Sequence, residues 1–287
     1  MAKKSAESGA LGWHLRDRLW VWGDRTFLMG ILNVTPDSFS DGGRFVSQGA
    51  ALSQVRAMAG VIDILDVGGE STRPGAQAVD AATELARVLP IITLVRAEFP
   101  QLPISIDTMK SGVAAAALRA GADVVNDVSA GRHDPLILEV AAELGAPVVL
   151  MHMQGEPRTM QQQPTYGDVV AEVYEFLELA IARAMAAGIP RDRIAVDVGI
   201  GFGKSLGHNL TLLRHLSAFR QLNCPILTGV SRKSFIGTLC QHPNPQDRLW
   251  GTAAACTAAI AGGSDILRVH DPLPLWDVCR VSDALFR

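Results

Sequence analysis

The sequence predicts an α/β protein built as one closed (β/α)8 barrel. Three observations lead there. Short apolar runs alternate with longer helical segments, and eight such runs can be counted. The chain has 287 residues, of which 48% are apolar, enough for one large core of the size a single α/β barrel uses. A polar or ionisable residue stands at or beside the C-terminal end of each run. Strands alternating with helices imply right-handed βαβ units and a parallel sheet. A doubly wound open sheet is the alternative, usually with fewer strands; eight units favour the TIM-barrel closure.

In order, the runs are FLMGIL (27–32), VIDILDV (61–67), PISI (103–106), ADVVN (122–126), PVVLM (147–151), RIAVDV (193–198), PILTGV (225–230) and DILRV (265–269). Between them lie Ala-, Leu- and Glu-rich stretches such as 81–99 and 168–188, whose spacing predicts helices. Gly121, Gly145 and Gly188 follow helical segments, where glycine takes a left-handed C-cap without steric cost. Residues 26–287 read as the barrel. Residues 1–25 read as an extension that packs on it or frays.

Composition narrows the function. A net charge of −3 argues against a general nucleic-acid or membrane binder. Cys224, Cys240, Cys256 and Cys279 are widely spaced, without a CxxC pair, and read as free thiols of a reducing, cytoplasmic compartment. No unbroken apolar run near the N-terminus suggests a secretory signal. The uncharged stretch from Leu249 to Ser264 is shorter than the ~20 residues needed to span a bilayer, and reads as a buried helix.

The strand ends carry the chemistry. They are Asn33, Asp66 with Glu70, Asp107, Asn126, His152, Asp197, Ser231 with Lys233, and Arg268 with His270. In a barrel these ends converge on one mouth, where active sites are built. The first loop, NVTPDSFSDGG, is longer and more polar than a turn requires. DVGIGFGKS (197–205) looks like a phosphate-binding P-loop but fails on spacing, because Val198 stands where the first glycine is needed. Arg73 in GGESTRPGA suits bidentate phosphate binding, or is a surface arginine beside a Pro-Gly turn. GVSRKSFIG and RVHDP place basic residues after strands seven and eight, where barrels often hold anions. Asp107, Asn126 and Asp197 suit the edge of an amino-substituted heterocycle, since carboxylates accept and an amide both donates and accepts. His152 reads as structural.

Taken together, MGILNVTPDSFSDGG, DVGGESTRPGA, SIDT, VND, LMHMQG, GFGKS, GVSRKSFIG and RVHD resemble the dihydropteroate synthase family, in family order from about residue 29 to 271. The resemblance implies condensation of 6-hydroxymethyl-7,8-dihydropterin diphosphate with 4-aminobenzoate, releasing pyrophosphate. It implies Mg2+, a homodimer and inhibition by sulfonamides. Asn33 is then expected to hold Mg2+. Thr72, Asp107, Asn126, Asp197, Lys233, Arg268 and His270 are expected on the pterin diphosphate. Thr72, Pro74, Phe202, Lys233 and Ser234 are expected to line the aminobenzoate pocket. Lys233, Asp107 and Arg73 are the expected catalytic residues, and the loops carrying Thr72 to Pro74 and following Asn33 are expected to close over the site.

Two departures stand out. Val198 follows Asp197 where the family often has Pro, which leaves the backbone expected to be looser there. Arg132 and His133 in SAGRHDP have no assigned role. No neighbouring pyrophosphokinase domain is seen, so a single activity is expected. The alternatives are a pterin-binding methyltransferase, which needs neither an aminobenzoate pocket nor two diphosphate loops, and a non-catalytic paralogue.

Overall fold

The computed structural model describes residues 12–35, 44–71, 75–156 and 158–287. It opens with a hairpin, β1 (Gly12–Leu15) against β2 (Arg18–Val21). The barrel strands follow as β3 (Phe27–Asn33), β4 (Ile64–Gly68), β5 (Ile104–Asp107), β6 (Val124–Asp127), β7 (Val148–Met151), β8 (Ile194–Asp197), β9 (Ile226–Thr228) and β10 (Ile266–Val269). Every neighbouring pair is parallel, and β10 pairs with both β9 and β3, so the sheet closes. Around it run α1 (Arg44–Met58), α2 (Ala81–Glu98), α3 (Ser111–Arg119), α4 (Leu136–Glu143), α5 (Val169–Ala186), α6 (Leu206–Arg214), α7 (Ser234–Cys240), α8 (Leu249–Ala261) and α9 (Pro272–Phe286).

The eight sequence runs coincide with β3 to β10, with ends shifted by one to three residues. The largest shift has a clear cause. Val61 to Asp63 precede β4, and the Asp63 carboxylate accepts the Leu28 amide at 2.9 Å and pairs with Arg25. Asp63 therefore ties off the entry to the strand instead of lengthening the ladder. Gly121, Gly145 and Gly188 all have positive φ, as their C-cap reading requires. Asp168 caps α5, accepting from the amides of Val170 and Ala171.

Alternation along the strands builds the interior in layers. Met29, Ile64, Val124, Val149, Ala195, Leu227 and Ile266 form one buried apolar cluster inside the barrel. Two residues further on, on the same inner face, stand Asp66 after Ile64, Asn126 after Val124, Asp197 after Ala195 and Arg268 after Ile266. One step of the period-two pattern thus turns apolar positions into polar ones, with Asp66 a register row below Asn126.

The hairpin closes the barrel from below. Trp13, Leu15 and Trp20 are buried in the same cluster as the floor residues. Trp20 stacks on Phe27, with ring centroids 4.6 Å apart, and Trp22 meets Phe27 edge-on at 5.4 Å. Arg25 lies 4.3 Å above the Phe27 ring. Arg16 anchors the turn on Asp123 at 2.6 Å. The hairpin covers apolar surface that would otherwise face water.

The segment read as a buried helix is α8, but it is buried on one face only. Thr252, Cys256, Ala259 and Ile260 face inward, while Trp250 is 80% exposed. No helix among the described residues is long and apolar enough to cross a membrane.

Replacing Trp13 with Ala is expected to cost about 3–5 kcal/mol in urea unfolding. Trp13→Phe is expected to cost less, because the Trp13 indole N–H is buried with no acceptor among the described residues. Equal losses from both changes would mean that the N–H is satisfied after all.

Candidate active site

Register sets the mouth. Asn33 of β3 lies opposite Gly68 of β4, Gly68 opposite Asp107 of β5, and Asp107 opposite Asn126 of β6. A Cβ at Gly68 would lie 3.6 Å from both Asn33 Oδ1 and Asp107 Oδ2. The missing side chain leaves those two groups facing each other across β4.

Below this row, Arg268 crosses the barrel interior. Its Nε donates to Asp66 Oδ2 at 2.6 Å, and its Nη2 donates to Asp107 Oδ2 at 2.7 Å. Asn126 Nδ2 donates to the same Asp66 oxygen at 3.2 Å. Asp66 is fully buried, while Asp107 and Asn126 are nearly so. Burial pushes the Asp107 carboxyl well above its ordinary value; Arg268 pulls it down, and Asp66 adds a smaller push upward. Burial alone would lower Arg268, but the carboxylates of Asp66 and Asp107 hold it above its usual value.

Across the barrel, burial also raises Asp197, against a hydrogen bond from the Gly199 amide at 2.7 Å and the positive charges of Lys233, Lys204 and Arg268. The loop after Asp197 is tightly built. Gly199, Gly201 and Gly203 all have positive φ, and a Cβ at Gly199 would fall 1.8 Å from the His152 carbonyl oxygen. Gly201 donates to Asn209 Oδ1 at 2.7 Å, and the Tyr166 hydroxyl donates to the Gly203 carbonyl at 2.8 Å. Val198 is completely buried in the main core. Where Pro would have fixed φ, side-chain packing and hydrogen bonds hold the backbone after Asp197 instead.

This loop presents Phe202, which packs against the methionine cluster of Met109, Met151, Met153 and Met160. Lys233 Nζ stands 4.1 Å above the Phe202 ring. Lys233 directly precedes α7, and Ser234 begins it, exposed. After β10, His270 is held through its backbone amide and ring Nδ1 by the Ser231 hydroxyl, both at 3.1 Å. Arg232 forms a two-point pair with Asp271, its Nε donating to Oδ2 at 2.8 Å, so part of the basic cluster in GVSRKSFIG serves the fold. Its positive φ of 59° marks the turn that aims Lys233 the other way.

Of the residues singled out in the sequence, Asn33, Asp107, Asn126, Asp197, Phe202, Lys233, Arg268 and His270 stand at the C-terminal ends of the strands or in the loops that follow them, and Ser234 at the start of α7. Thr72, Arg73 and Pro74, and the loop residues Pro36 to Gly43, lie outside the described residues. Arg132 has a structural explanation. It donates to the Met153 carbonyl at 2.6 Å and stacks over Phe176 at 4.9 Å.

A model of the pterin binding enzyme family matches residues 29–270. A dihydropteroate synthase of Synechocystis is 50% identical over 94% of this chain and 93% of its own length. The chain belongs to the dihydropteroate synthase family. The Escherichia coli dihydropteroate synthase is 46% identical over 90% of each chain. The solved dihydropteroate synthase of Yersinia pestis, in a sulfonamide drug complex, superposes with a TM-score of 0.89 at 40% identity, covering 96% of this chain and 98% of that one. The Xanthomonas albilineans dihydropteroate synthase, solved with 4-aminobenzoic acid, gives 0.87 at 46% identity, with 93% and 95% covered.

Two residues at this mouth had no assignment from sequence. Asp66 was visible only as one of several strand-end carboxylates. Lys204 is 3% exposed and donates to His152 Nδ1 at 2.8 Å and to the Phe202 carbonyl at 3.0 Å. Burial lowers its amine to about 7, against the attraction of Asp197. His152 accepts this bond within an aromatic cage of Tyr166 and Phe176. Burial first, then Lys204, hold its imidazole far below the ordinary value.

A native-state pKa below the unfolded one means that His152 contributes stability above pH ~6.5 that is lost as the pH falls. Wild-type unfolding free energy is expected to drop below that pH by up to about 1.4 kcal/mol per unit from this group. His152→Gln keeps an acceptor for Lys204 and is expected to flatten that slope. Urea titrations between pH 7.5 and 5 decide it; identical slopes would exclude a neutral, buried His152.

Proposed function

We propose that this chain condenses 6-hydroxymethyl-7,8-dihydropterin diphosphate with 4-aminobenzoate to give 7,8-dihydropteroate and pyrophosphate. One observation carries the reading. At one barrel mouth, a buried layer of hydrogen-bonding groups, Asp107, Asn126 and Asp197, adjoins an aromatic wall, Phe202, over which the Lys233 ammonium sits. The first suits the edge of a flat aminated heterocycle. The second suits an aromatic amine that carries a carboxylate. The Xanthomonas relative solved with 7,8-dihydropteroate, 42% identical, supports the pairing of these two ligands.

In this reading Asp107, Asn126, Asp197 and Lys233 hydrogen-bond the pterin, and Arg268 lies beside its face. Thr72, Arg73 and Pro74 act from the loop after β4; Arg73 and His270, with Arg268, bind the diphosphate. Phe202, Ser234, Thr72 and Pro74 line the aminobenzoate side. The bond from the methylene carbon to the diphosphate oxygen breaks, and the electron-rich ring shares the developing positive charge. The amine forms the new C–N bond and loses a proton. No protein nucleophile is required. The cations act by stabilising the departing anion, an electrostatic contribution that grows as water is excluded.

Mg2+ fits this site as a substrate-borne ion. Asn33 offers one hard amide oxygen at the end of β3, and Mg2+ commonly takes few protein oxygens beside phosphates and waters. When bound, it would neutralise diphosphate charge. We further assign the chain to the cytoplasm, in keeping with its free cysteines, and to a homodimer. Leu239, Trp250, Leu273, Val281, Leu285 and Phe286 are exposed on α7, α8 and α9, which supports association through that side.

The test is pyrophosphate release from the pterin diphosphate and Mg2+, with and without 4-aminobenzoate. Release that depends on aminobenzoate is expected. Asp197→Asn is expected to lower kcat/KM by about 10- to 100-fold, the range for losing a hydrogen bond to a charged group. Pterin binding without turnover would instead favour a methyltransferase or a non-catalytic paralogue.

A further inference from the structure

We propose that Asp66 is a positioning residue that fixes what the pterin pocket can recognise, by orienting both the Asn126 amide and the Arg268 guanidinium from beneath. The inference rests on the reading of this mouth as a pterin site.

Asp66 is 0% exposed and lies one inner-facing step below the mouth row of Asn33, Gly68 and Asp107. From there a single oxygen, Oδ2, accepts both Arg268 Nε at 2.6 Å and Asn126 Nδ2 at 3.2 Å. An amide has one donor end and one acceptor end, and its two orientations are nearly equal in shape. The carboxylate removes that degeneracy. An oxygen already paired with a guanidinium accepts and does not donate, so the amide must turn its NH2 downward. The carbonyl oxygen of Asn126 is then the atom left for a ligand, and it accepts a hydrogen bond from a ring N–H or amino group. A ring bearing an oxygen at that point meets repulsion instead.

The same carboxylate orients Arg268. With Nε on Asp66 and Nη2 on Asp107, the plane of the guanidinium is fixed by two strands, β4 and β5. Arg268 can then present its remaining N–H groups and its face without first losing rotamer freedom.

Stability alone does not account for Asp66. Two carboxylates share one guanidinium in the barrel interior. Asp66 Oδ1 and the Ser105 Oγ, at paired register positions on β4 and β5, are buried with no partner among the described residues. Buried groups left in this state cost folding free energy. A neutral Asn at position 66 would relieve part of that cost, while Arg268 keeps Asp107.

The experiment compares wild type, Asp66→Asn, Asn126→Ala and the double variant. Its readouts are affinity for a pterin and for the matching lumazine (oxygen in place of the 2-amino group), steady-state constants, and Tm. Asp66→Asn is expected to weaken pterin binding and raise KM for the pterin diphosphate by about tenfold or more, the scale of a charged hydrogen bond. It is expected to leave KM for 4-aminobenzoate within about twofold, keep or raise Tm, and bring the pterin-to-lumazine affinity ratio closer to one. In the Asn126→Ala background the loss from Asp66→Asn is expected to shrink, because the two act together. Wild-type pterin binding with an unchanged ratio in Asp66→Asn would overturn the inference. So would a loss spread over both substrates together with a lowered Tm. Failure of the wild type to bind pterin at all would overturn the site reading itself.

Discussion

Arg268 is placed by barrel closure and by nothing local. β10 reaches it only by pairing with β3 on one side and β9 on the other, and that closure brings the guanidinium to carboxylates on β4 and β5. The contact with Asp66 joins residues 202 positions apart in sequence. Remove the closure and the interior holds carboxylates without a counter-charge, a state the low-dielectric core does not tolerate. Closure is therefore a condition of the polar layer, which the rest of the barrel must stabilise.

That dependence explains what could be read in the chain. The strands were legible because apolar runs of four to seven residues between Gly-ended helices have few other solutions. The mouth residues were legible because strand ends in a barrel converge. The distinction between Asp107 and Asp66 was not legible. Both are strand-end carboxylates, and only register shows that one stands at the mouth row and the other a layer deeper. Lys204 was hidden for a similar reason. Its motif, GFGKS, places it in a loop, where a lysine is ordinarily solvated. It is buried because His152, on the neighbouring strand-end loop, offers it an acceptor.

The N-terminal segment marks another boundary of legibility. Its tryptophans gave no strand pattern strong enough to stand out, since a two-stranded ribbon gains stability only from what it covers. Here it covers the barrel floor. Likewise, Val198 in place of Pro predicted a looser turn from backbone freedom alone. Burial of Val198 and hydrogen bonds from the Gly199 and Gly201 amides hold the turn by other means. Local propensity ranks conformations, and packing selects among them.

The floor has a consequence for traffic. Apolar side chains fill the lower barrel, and a tryptophan-bearing ribbon seals it from beneath. Among the described residues the polar layer is therefore closed off from below, and approach to it runs past the strand ends at the mouth.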